Sequence, residues 1–347
     1  MEIRFLHPPF DSMPTGGNMY NRYMVEQAAM EGYPLASVPL AEQQFDANLL
    51  ASRNHPVICD SLFLDHLAQG RSDIPCESQA LLLHYLPSEN PMLDALEHKR
   101  IEAIENRAIE RSTFLIVSGP RLQRVVKNRF PQKDVFLCEP GVSDPFLEEP
   151  LSSERQQPNS VELLTVANLL PAKGHLQLLR ILADLTGDDW RWNLVGDDSP
   201  DAEYAAYFSE TAKRIGLSAM IRYHGVLNSA QIAALMNRCD VFVSASHYES
   251  YGIAMAEAAA KKLPTVATQV GAAGRLVRHN RTGFLVHPRD WEGFGRCLAR
   301  LIKDSRLRAR FRRNLDSVRP RTWADAFADF KAACQAILNA PIDLPSK

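Results

Sequence analysis

The sequence predicts an α/β fold made of two parallel-sheet domains. Three observations lead to this prediction: the chain has 347 residues, short apolar runs alternate with longer helical patterns, and a polar segment interrupts the alternation near the middle. A chain of this length ordinarily forms about two domains. Apolar strands that alternate with helices are typical of buried parallel sheets covered on both faces. Two such series therefore predict two Rossmann-like domains that face each other across a cleft.

The first series of strands fills the N-terminal part of the chain. Its runs are aliphatic or β-branched, and such residues favour strands. The predicted strands are Glu2–Leu6, Pro34–Val38, Pro56–Leu64, Ala80–Leu86, Phe114–Ser118 and Val135–Cys138. Helical patterns lie between them at Asn18–Met30 and Asp94–Arg111.

A second series of the same kind follows. Its predicted strands are Glu162–Ala167, Trp192–Val195, Ile221–His224, Val241–Ser244, Thr265–Thr268 and Phe284–Val286. The helical patterns between them are Leu176–Leu185, Ala202–Ile215, Ala230–Arg238 and Gly252–Lys262. This repetition of strand and helix predicts a second parallel sheet.

The boundary between the two series is a polar segment. Glu148–Ser160 is flanked by prolines and has no hydrophobic periodicity, which predicts a linker and a hinge for domain closure. We therefore predict one domain over residues 1–150, a second over 151–320, and a C-terminal helix and tail over 321–347. The last helical pattern, Trp323–Leu338, either caps the second domain or returns to pack on the first.

The charge is divided unevenly between the halves. The whole chain has 39 Lys and Arg against 41 Asp and Glu, a net charge of −2. Residues 1–150 carry 13 basic and 21 acidic residues, or −8, and residues 151–347 carry 26 and 20, or +6. The acidic first half and the absence of a nucleic-acid motif argue against a nucleic-acid partner. Most of the basic excess comes from one predicted helical stretch, Arg300–Arg313, which we interpret as a solvated face.

Other sequence features indicate the compartment. No apolar run approaches the ~18 residues that a membrane span requires, and the start of the chain has no hydrophobic signal-peptide region. The six cysteines are scattered and form no CxxC pair, which suits a reducing environment. We predict a cytoplasmic protein in which membrane association is not favoured.

Ligands of parallel sheets bind beyond the carboxyl ends of the strands, so the junctions from strand to helix are the candidate sites. After the first strand, Gly16 and Gly17 allow close approach of the backbone to a ligand at a helix start. After the strand that ends at Ala167, Lys173 precedes a glycine at another helix start, where an ammonium group binds phosphate as a point charge. Each feature alone is more often an ordinary turn or a surface lysine.

The third junction has two carboxylates eight positions apart. Glu249 lies in a predicted loop, and Glu257 lies on the following Ala-rich helix. A buried carboxylate needs a partner, and a diol can donate two hydrogen bonds to one carboxylate. We favour a ligand over an internal ion pair for Glu257. At the fourth junction His84 ends an apolar strand, which by itself is a weak signal.

Together these junctions resemble glycosyltransferase family 4, the retaining nucleotide-sugar transferases of GT-B fold. The segment from Glu249 to Glu257 matches the family's E-x7-E element. Further matches are Gly16-Gly17, Lys173-Gly174, the Pro140-Gly141-Val142 segment before the linker, Leu194-Val195-Gly196-Asp197, Tyr223-His224-Gly225 and Leu263 to Thr268. The resemblance is most specific over residues 161–288.

The resemblance implies a role for each candidate residue. Glu257 would bind the donor ribose, and Glu249 would bind the donor sugar. The backbone of Ser250, Tyr251, Gly252 and Ile253 would assist Glu249. Lys173, Gly16 and Gly17 would contact the diphosphate, and His84 would lie near the reaction centre.

The resemblance also implies a nucleotide-sugar donor, most commonly a UDP-sugar, and no cofactor. The chain has no D-x-D motif, which predicts a metal-independent reaction. The acidic first half favours a soluble acceptor, because lipid acceptors favour a basic or amphipathic face.

One position departs from the family pattern. Where the family commonly has an arginine that contacts the diphosphate, this chain has Asn168, which brings no charge. Two alternatives to a transferase stay open: a catalytically silent nucleotide-sugar-binding subunit, which Asn168 favours, or another GT-B enzyme such as a nucleotide-sugar epimerase.

Overall fold

The computed structural model describes residues 2–10, 15–41, 55–69, 79–148, 160–185, 187 and 189–339. The chain divides into two compact units. Unit 1 comprises residues 1–141 and 321–347, and unit 2 comprises residues 142–320. Most of the predicted linker, residues 149–159, lies outside the described residues.

Unit 1 contains a parallel sheet of six described strands in the order β2-β1-β3-β4-β5-β6. The strands are β1 (Ile3–His7), β2 (Leu35–Pro39), β3 (Val57–Asp60), β4 (Gln79–Leu83), β5 (Phe114–Val117) and β6 (Asp134–Leu137). The helices between them are α1 (Gly16–Glu31), α2 (Leu64–Gln69), α3 (Ala95–Arg111) and α4 (Pro120–Arg129). The core consists of aliphatic side chains from the central strands, including Leu81, Leu83 and Leu115, all fully buried.

Unit 2 begins with a short helix, α5 (Asp144–Leu147), and contains a second parallel sheet in the order β12-β11-β10-β7-β8-β9. Its strands are β7 (Val161–Val166), β8 (Trp190–Val195), β9 (Ile221–Tyr223), β10 (Val241–Ser244), β11 (Thr265–Thr268) and β12 (Gly283–Val286). Its remaining helices are α6 (His175–Ala183), α7 (Ala202–Arg214), α8 (Ser229–Arg238), α9 (Ile253–Ala260), α10 (Ala273–Leu276), α11 (Trp291–Lys303) and α12 (Ser305–Leu315). The predicted fold class is confirmed, since both units are Rossmann-like α/β domains.

Two local predictions are wrong because of a capping aspartate. The predicted strand Pro56–Leu64 ends at Asp60, because the Asp60 carboxylate accepts the Leu62 N–H and starts a helical turn. The predicted single helix over Arg300–Arg313 is two helices, because Asp304 caps the start of α12 by accepting the Leu307 N–H.

Two arginines of α12 donate hydrogen bonds to backbone carbonyls of the protein itself. Arg308 donates to the carbonyls of Leu301 and Ile302 at the end of α11. Arg312 donates to the Cys239 carbonyl. These contacts account for part of the basic excess of the second half without any ligand.

The units divide between Gly141 and Val142, ahead of the predicted boundary after residue 150. The reason lies in hydrophobic packing. Val142 and Phe146 are buried with Leu164, Phe242 and Met255 in a core cluster of unit 2. Residues 142–148, which precede the rest of the predicted linker, therefore belong to the second unit.

The last helix, α13 (Trp323–Asn339), belongs to unit 1. The Trp323 ring stacks on Tyr23 with centroids 4.4 Å apart. Phe330 is fully buried, and its ring centroid lies 6.0 Å from that of Phe5 on β1. Of the two predicted alternatives, the structure has the one in which the C-terminal helix packs on the first domain.

Replacing Phe330 by alanine is expected to destabilise unit 1 by about 3–5 kcal/mol, since it removes a fully buried ring and leaves a cavity. Urea denaturation followed by tryptophan fluorescence measures the change. Leu96→Ala is the control, because Leu96 is 80% exposed. A loss similar to that of the control would contradict the assignment of α13 to the core of unit 1.

Candidate active site

The candidate site of unit 2 lies at the switch point of its sheet. The strand order changes direction between β7 and β10, which pair with each other in the sheet centre. Ligands of open parallel sheets bind at this point, beyond the carboxyl ends of the strands. Lys173 follows β7 and Glu249 follows β10, so the topology brings the two residues together.

Lys173 and Glu249 form an ion pair. The Lys173 Nζ lies 2.6 Å from the Glu249 Oε1, and both side chains are partly exposed. The Ser246 hydroxyl donates to the same carboxylate oxygen at 3.3 Å. Glu249 therefore holds the Lys173 ammonium group at the carboxyl end of the sheet, and Ser246 donates a hydrogen bond to the Glu249 carboxylate.

Two close backbone contacts fix this geometry. The His247 N–H donates to the Ala172 carbonyl at 2.8 Å and joins the two loops. Gly174 has a φ of 70°, and a Cβ there would lie 2.0 Å from the Ala245 carbonyl oxygen. Only glycine fits this position, because the conformation is left-handed and the space is filled. The glycine after Lys173 thus allows the lysine loop to contact the β10 loop.

Glu257 is a buried carboxylate on α9. It is 6% exposed, and burial raises its pKa to about 8. Within the described residues, no hydrogen bond or ion pair to its carboxylate occurs. A carboxylate in this position needs donors from a ligand, or it takes up a proton.

The start of α9 lies between the two glutamates. Gly252 caps the helix with a φ of 100°, and the helix begins at Ile253. The first N–H groups of a helix have no partner within it and favour an anion or a hydroxyl oxygen. Ser250 is half-buried and Tyr251 is buried, and the Tyr251 carbonyl accepts the Ala272 N–H from the next loop. The predicted segment from Ser250 to Ile253 therefore forms an ordered turn.

Asn168 lies in the loop after β7. Its amide oxygen accepts the Asp197 N–H at 3.1 Å, which connects the ends of β7 and β8. The side chain thus has a structural function in place of the charge that the family pattern supplies.

Asn168→Arg is expected to bind a nucleoside diphosphate about tenfold more tightly than wild type, through a new charge-assisted hydrogen bond. Asn168→Ala is the matched control, since both variants lose the bond to Asp197 and only one gains a charge. Titration calorimetry gives the affinities. An unchanged or weaker affinity of the arginine variant would refute this expectation.

The predicted residues of unit 1 lie at the switch point of its own sheet, around β1, β3 and β4. Gly16 opens α1, and a Cβ on Gly17 would lie 3.0 Å from the Cδ2 atom of His84. His84 follows β4 directly and is 8% exposed. The structure therefore brings the glycine pair and the histidine together.

Sequence reasoning missed two partners of His84. The His84 Nε2 lies 3.1 Å from the Asp60 Oδ2 and 2.9 Å from the Asn21 Oδ1. Asp60 is fully buried; burial raises the pKa of its carboxyl, but the neighbouring His84 and the N–H donors of Leu62 and Asn21 hold that pKa below its usual value. The sequence feature that could have identified Asp60 is an aspartate near the end of an apolar, strand-like run.

Among the described residues, none of the helices has the length and apolar character of a membrane span. No group of three or more His, Cys, Asp or Glu side chains is arranged to hold a metal ion in those residues. Metal independence stays a prediction.

Residues 149–317 match the family described as glycosyl transferases group 1. The glycogen synthase of Mycobacterium tuberculosis is 24% identical over 210 residues, which cover 59% of this chain and 49% of that protein. The chain thus matches about half the length of this curated relative. The match agrees with the enzyme class predicted from the sequence.

Solved structures match over nearly the whole chain. Sucrose-phosphate synthase from Thermosynechococcus elongatus has a TM-score of 0.78 and 17% identity, with 98% of this chain and 100% of that chain covered. Anabaena Alr3699/HepE in complex with UDP and glucose has a TM-score of 0.73 and 17% identity, with 97% and 100% covered. At these identities the likeness establishes the GT-B fold.

Proposed function

Because residues 149–317 match a group 1 glycosyl transferase domain, we propose that the chain is a retaining glycosyltransferase that uses a nucleoside-diphosphate sugar and needs no metal. One observation carries the proposal. The switch point of unit 2 holds the Lys173–Glu249 ion pair, and the same strand-to-helix junction leads to Glu257, a buried carboxylate without a protein partner among the described residues.

Different residues bind different parts of the donor. The Glu257 carboxylate accepts hydrogen bonds from the two ribose hydroxyls. The Lys173 ammonium binds the diphosphate, and Glu249, which the lysine contacts at 2.6 Å in the free protein, then binds hydroxyls of the sugar. Backbone N–H groups at the start of α9 add further donors.

The reaction breaks the bond between the anomeric carbon and the β-phosphate oxygen, and the electron pair stays on that oxygen. Lys173 stabilises the negative charge that develops there. The acceptor hydroxyl attacks from the same face and gives its proton to the leaving phosphate. The configuration of the anomeric carbon is retained, and Glu249 does not act as a nucleophile.

In unit 1, the backbone N–H groups at the start of the helix that Gly16 and Gly17 open can bind an anion, and His84 can contact a substrate hydroxyl. Uridine is the first base to test, because a structural neighbour was solved with UDP and glucose. The acceptor is an alcohol, and a soluble one is favoured by the acidic first half of the chain. A cytoplasmic location stays a prediction.

A catalytically silent nucleotide-sugar-binding subunit is the second candidate. Asn168 favours it, since it replaces a positive charge at the diphosphate with a structural amide. The silent protein would bind the nucleotide without releasing it from its sugar.

The test is turnover of nucleoside-diphosphate sugars in the presence of EDTA. Wild-type protein and a panel of uridine, guanosine and adenosine diphosphate sugars are incubated with simple alcohol acceptors, and proton NMR gives the anomer of the product. Release of one nucleoside diphosphate with retention supports the proposal. Binding without release supports the silent subunit, and an inverted product contradicts retention.

The protein is expected not to pellet with anionic phosphatidylglycerol vesicles. Arg308 and Arg312 of α12 donate to backbone carbonyls, and the guanidinium of Arg300 on α11 lies 5.0 Å from the Phe284 ring centroid. These contacts direct the three guanidinium groups toward the protein. Neutral phosphatidylcholine vesicles are the control, and salt-sensitive pelleting with the anionic vesicles would overturn the expectation.

A further inference from the structure

The group formed by Asp60, Asn21 and His84 in unit 1 has a defined hydrogen-bond direction. The Asp60 Oδ1 accepts the Leu62 N–H at 2.7 Å, and its Oδ2 accepts the Asn21 Nδ2–H at 2.6 Å. This second bond fixes the orientation of the Asn21 amide. The Asn21 Oδ1 therefore faces His84, which it contacts at 2.9 Å.

Both groups that face the Nε2 of His84 are acceptors. The Asn21 amide oxygen and the Asp60 carboxylate oxygen lie 2.9 Å and 3.1 Å from it. A ring nitrogen between two acceptors must carry the proton. In the neutral imidazole the lone pair is then on Nδ1, which makes no hydrogen bond to any described residue.

The position of the ring is fixed as well. The His84 N–H donates to the Ser61 hydroxyl at 3.3 Å, and the His84 carbonyl accepts from the Ser118 hydroxyl at 3.1 Å. The Tyr20 ring packs edge-on at a centroid distance of 5.3 Å. Backbone and ring are both held, so little rearrangement is available to His84.

We propose that Asp60 and Asn21 are positioning residues that keep the proton of His84 on Nε2 and present Nδ1 as the acceptor for a hydroxyl of the sugar or the acceptor substrate. The identity of the substrate hydroxyl rests on the proposed function, whereas the position of the proton on the His84 ring does not. Asn21 lies on α1, the helix that Gly16 and Gly17 open. The same helix thus carries the glycine pair and orients the histidine.

Asp60→Asn reverses the hydrogen-bond direction. The Leu62 N–H continues to donate to the side-chain oxygen of the new asparagine, so the asparagine NH2 group occupies the position of Oδ2. That group donates to Nε2 and turns the Asn21 amide around. Nε2 now faces donors, and the proton is expected to move to Nδ1, as an aspartate-to-asparagine change does at a histidine in a catalytic triad.

Nitrogen-15 NMR of histidine-labelled protein reads the tautomer, with His84→Gln identifying the signal among the ten histidines. We expect proton on Nε2 in wild type and on Nδ1 in Asp60→Asn. Glu105→Gln is the control. Glu105 is a buried carboxylate of unit 1 that accepts hydrogen bonds from Ser88 and Arg129 and makes none with His84. The control is expected to keep the wild-type tautomer.

Transfer measurements complete the test, with a fall in kcat/KM of about 10²-fold expected for Asp60→Asn. Proton on Nδ1 in the wild type overturns the proposal even if the variant does not fold. An unchanged tautomer in Asp60→Asn also overturns it. A changed tautomer with unchanged transfer overturns the catalytic part. If wild type transfers no sugar but shows the expected tautomers, the proposed function fails and the positioning stands.

Discussion

Replacing Lys173 by methionine is expected to reduce sugar transfer by about 10²- to 10³-fold, the usual cost of removing one group that stabilises developing charge. Lys173 is the cation that the fold places at the switch point of unit 2, with its Nζ 2.6 Å from Glu249. Methionine keeps the unbranched chain and removes the charge. The loss should appear in kcat more than in KM, because the charge on the leaving phosphate grows in the transition state.

Lys261→Met is the matched control. Lys261 is another lysine of unit 2 and donates to the Glu148 carbonyl at 2.6 Å. Steady-state kinetics of both variants, with circular dichroism to verify folding, separates the local charge from a general effect. Equal activity of the two variants would contradict the role of Lys173.

Replacing Glu257 by glutamine is expected to weaken nucleoside-diphosphate binding by about 10- to 100-fold. A carboxylate accepts hydrogen bonds from both ribose hydroxyls, whereas an amide offers one oxygen, and a bond to a charged group contributes about 1.5–3 kcal/mol. Titration calorimetry measures the affinity. Glu105→Gln is the control, because it also replaces a buried carboxylate but lies in unit 1 away from these residues.

Glu257 also makes binding depend on pH. Its pKa is about 8 in the free protein, so at pH 7 the carboxyl is protonated. Ribose hydroxyls that donate to the charged form favour ionisation, and binding should then release a proton. Calorimetry at pH 7 in two buffers of different ionisation enthalpy counts that proton. Wild type should release it and the glutamine variant should not.

The same group affects stability. In the unfolded chain Glu257 has the ordinary glutamate pKa of 4.5, whereas in the folded chain its carboxyl stays protonated up to about pH 8. Between these values the folded state binds more protons, so this group lowers stability as pH rises. Relative to wild type, Glu257→Gln should gain ~4 kcal/mol in free energy of unfolding from pH 4.5 to 8, at about 1.4 kcal/mol per pH unit. A difference that is constant across that range would contradict the raised pKa.

Much of the fold could be predicted from the sequence because parallel strands are short, apolar and regularly spaced. The runs at Val241–Ser244 and Thr265–Thr268 are observed with the predicted bounds. The end of β3 at Asp60 could not be predicted, because a side-chain hydrogen bond to Leu62 stops the strand inside an apolar run. The return of α13 to unit 1 is likewise a matter of tertiary packing against Tyr23 and Phe5.

The candidate site was predicted in part. The charged residues of unit 2 were predicted, since Lys173 and Glu249 lie at strand-to-helix junctions and Glu257 interrupts an Ala-rich helix. Their pairing was not, because it depends on a close contact between Gly174 and the Ala245 carbonyl. Asp60 and Asn21 were missed, since neither is distinctive until three separate segments meet at His84.

Titration calorimetry of UDP, GDP, ADP, TDP and CDP in EDTA tests the central claim most directly: that unit 2 holds a nucleoside diphosphate through Lys173 and Glu257. We expect saturable binding of one diphosphate to wild-type protein, at least tenfold weaker binding to Glu257→Gln, and an unchanged affinity in Glu105→Gln. Binding of none of the five, or equal binding to wild type and Glu257→Gln, would contradict it.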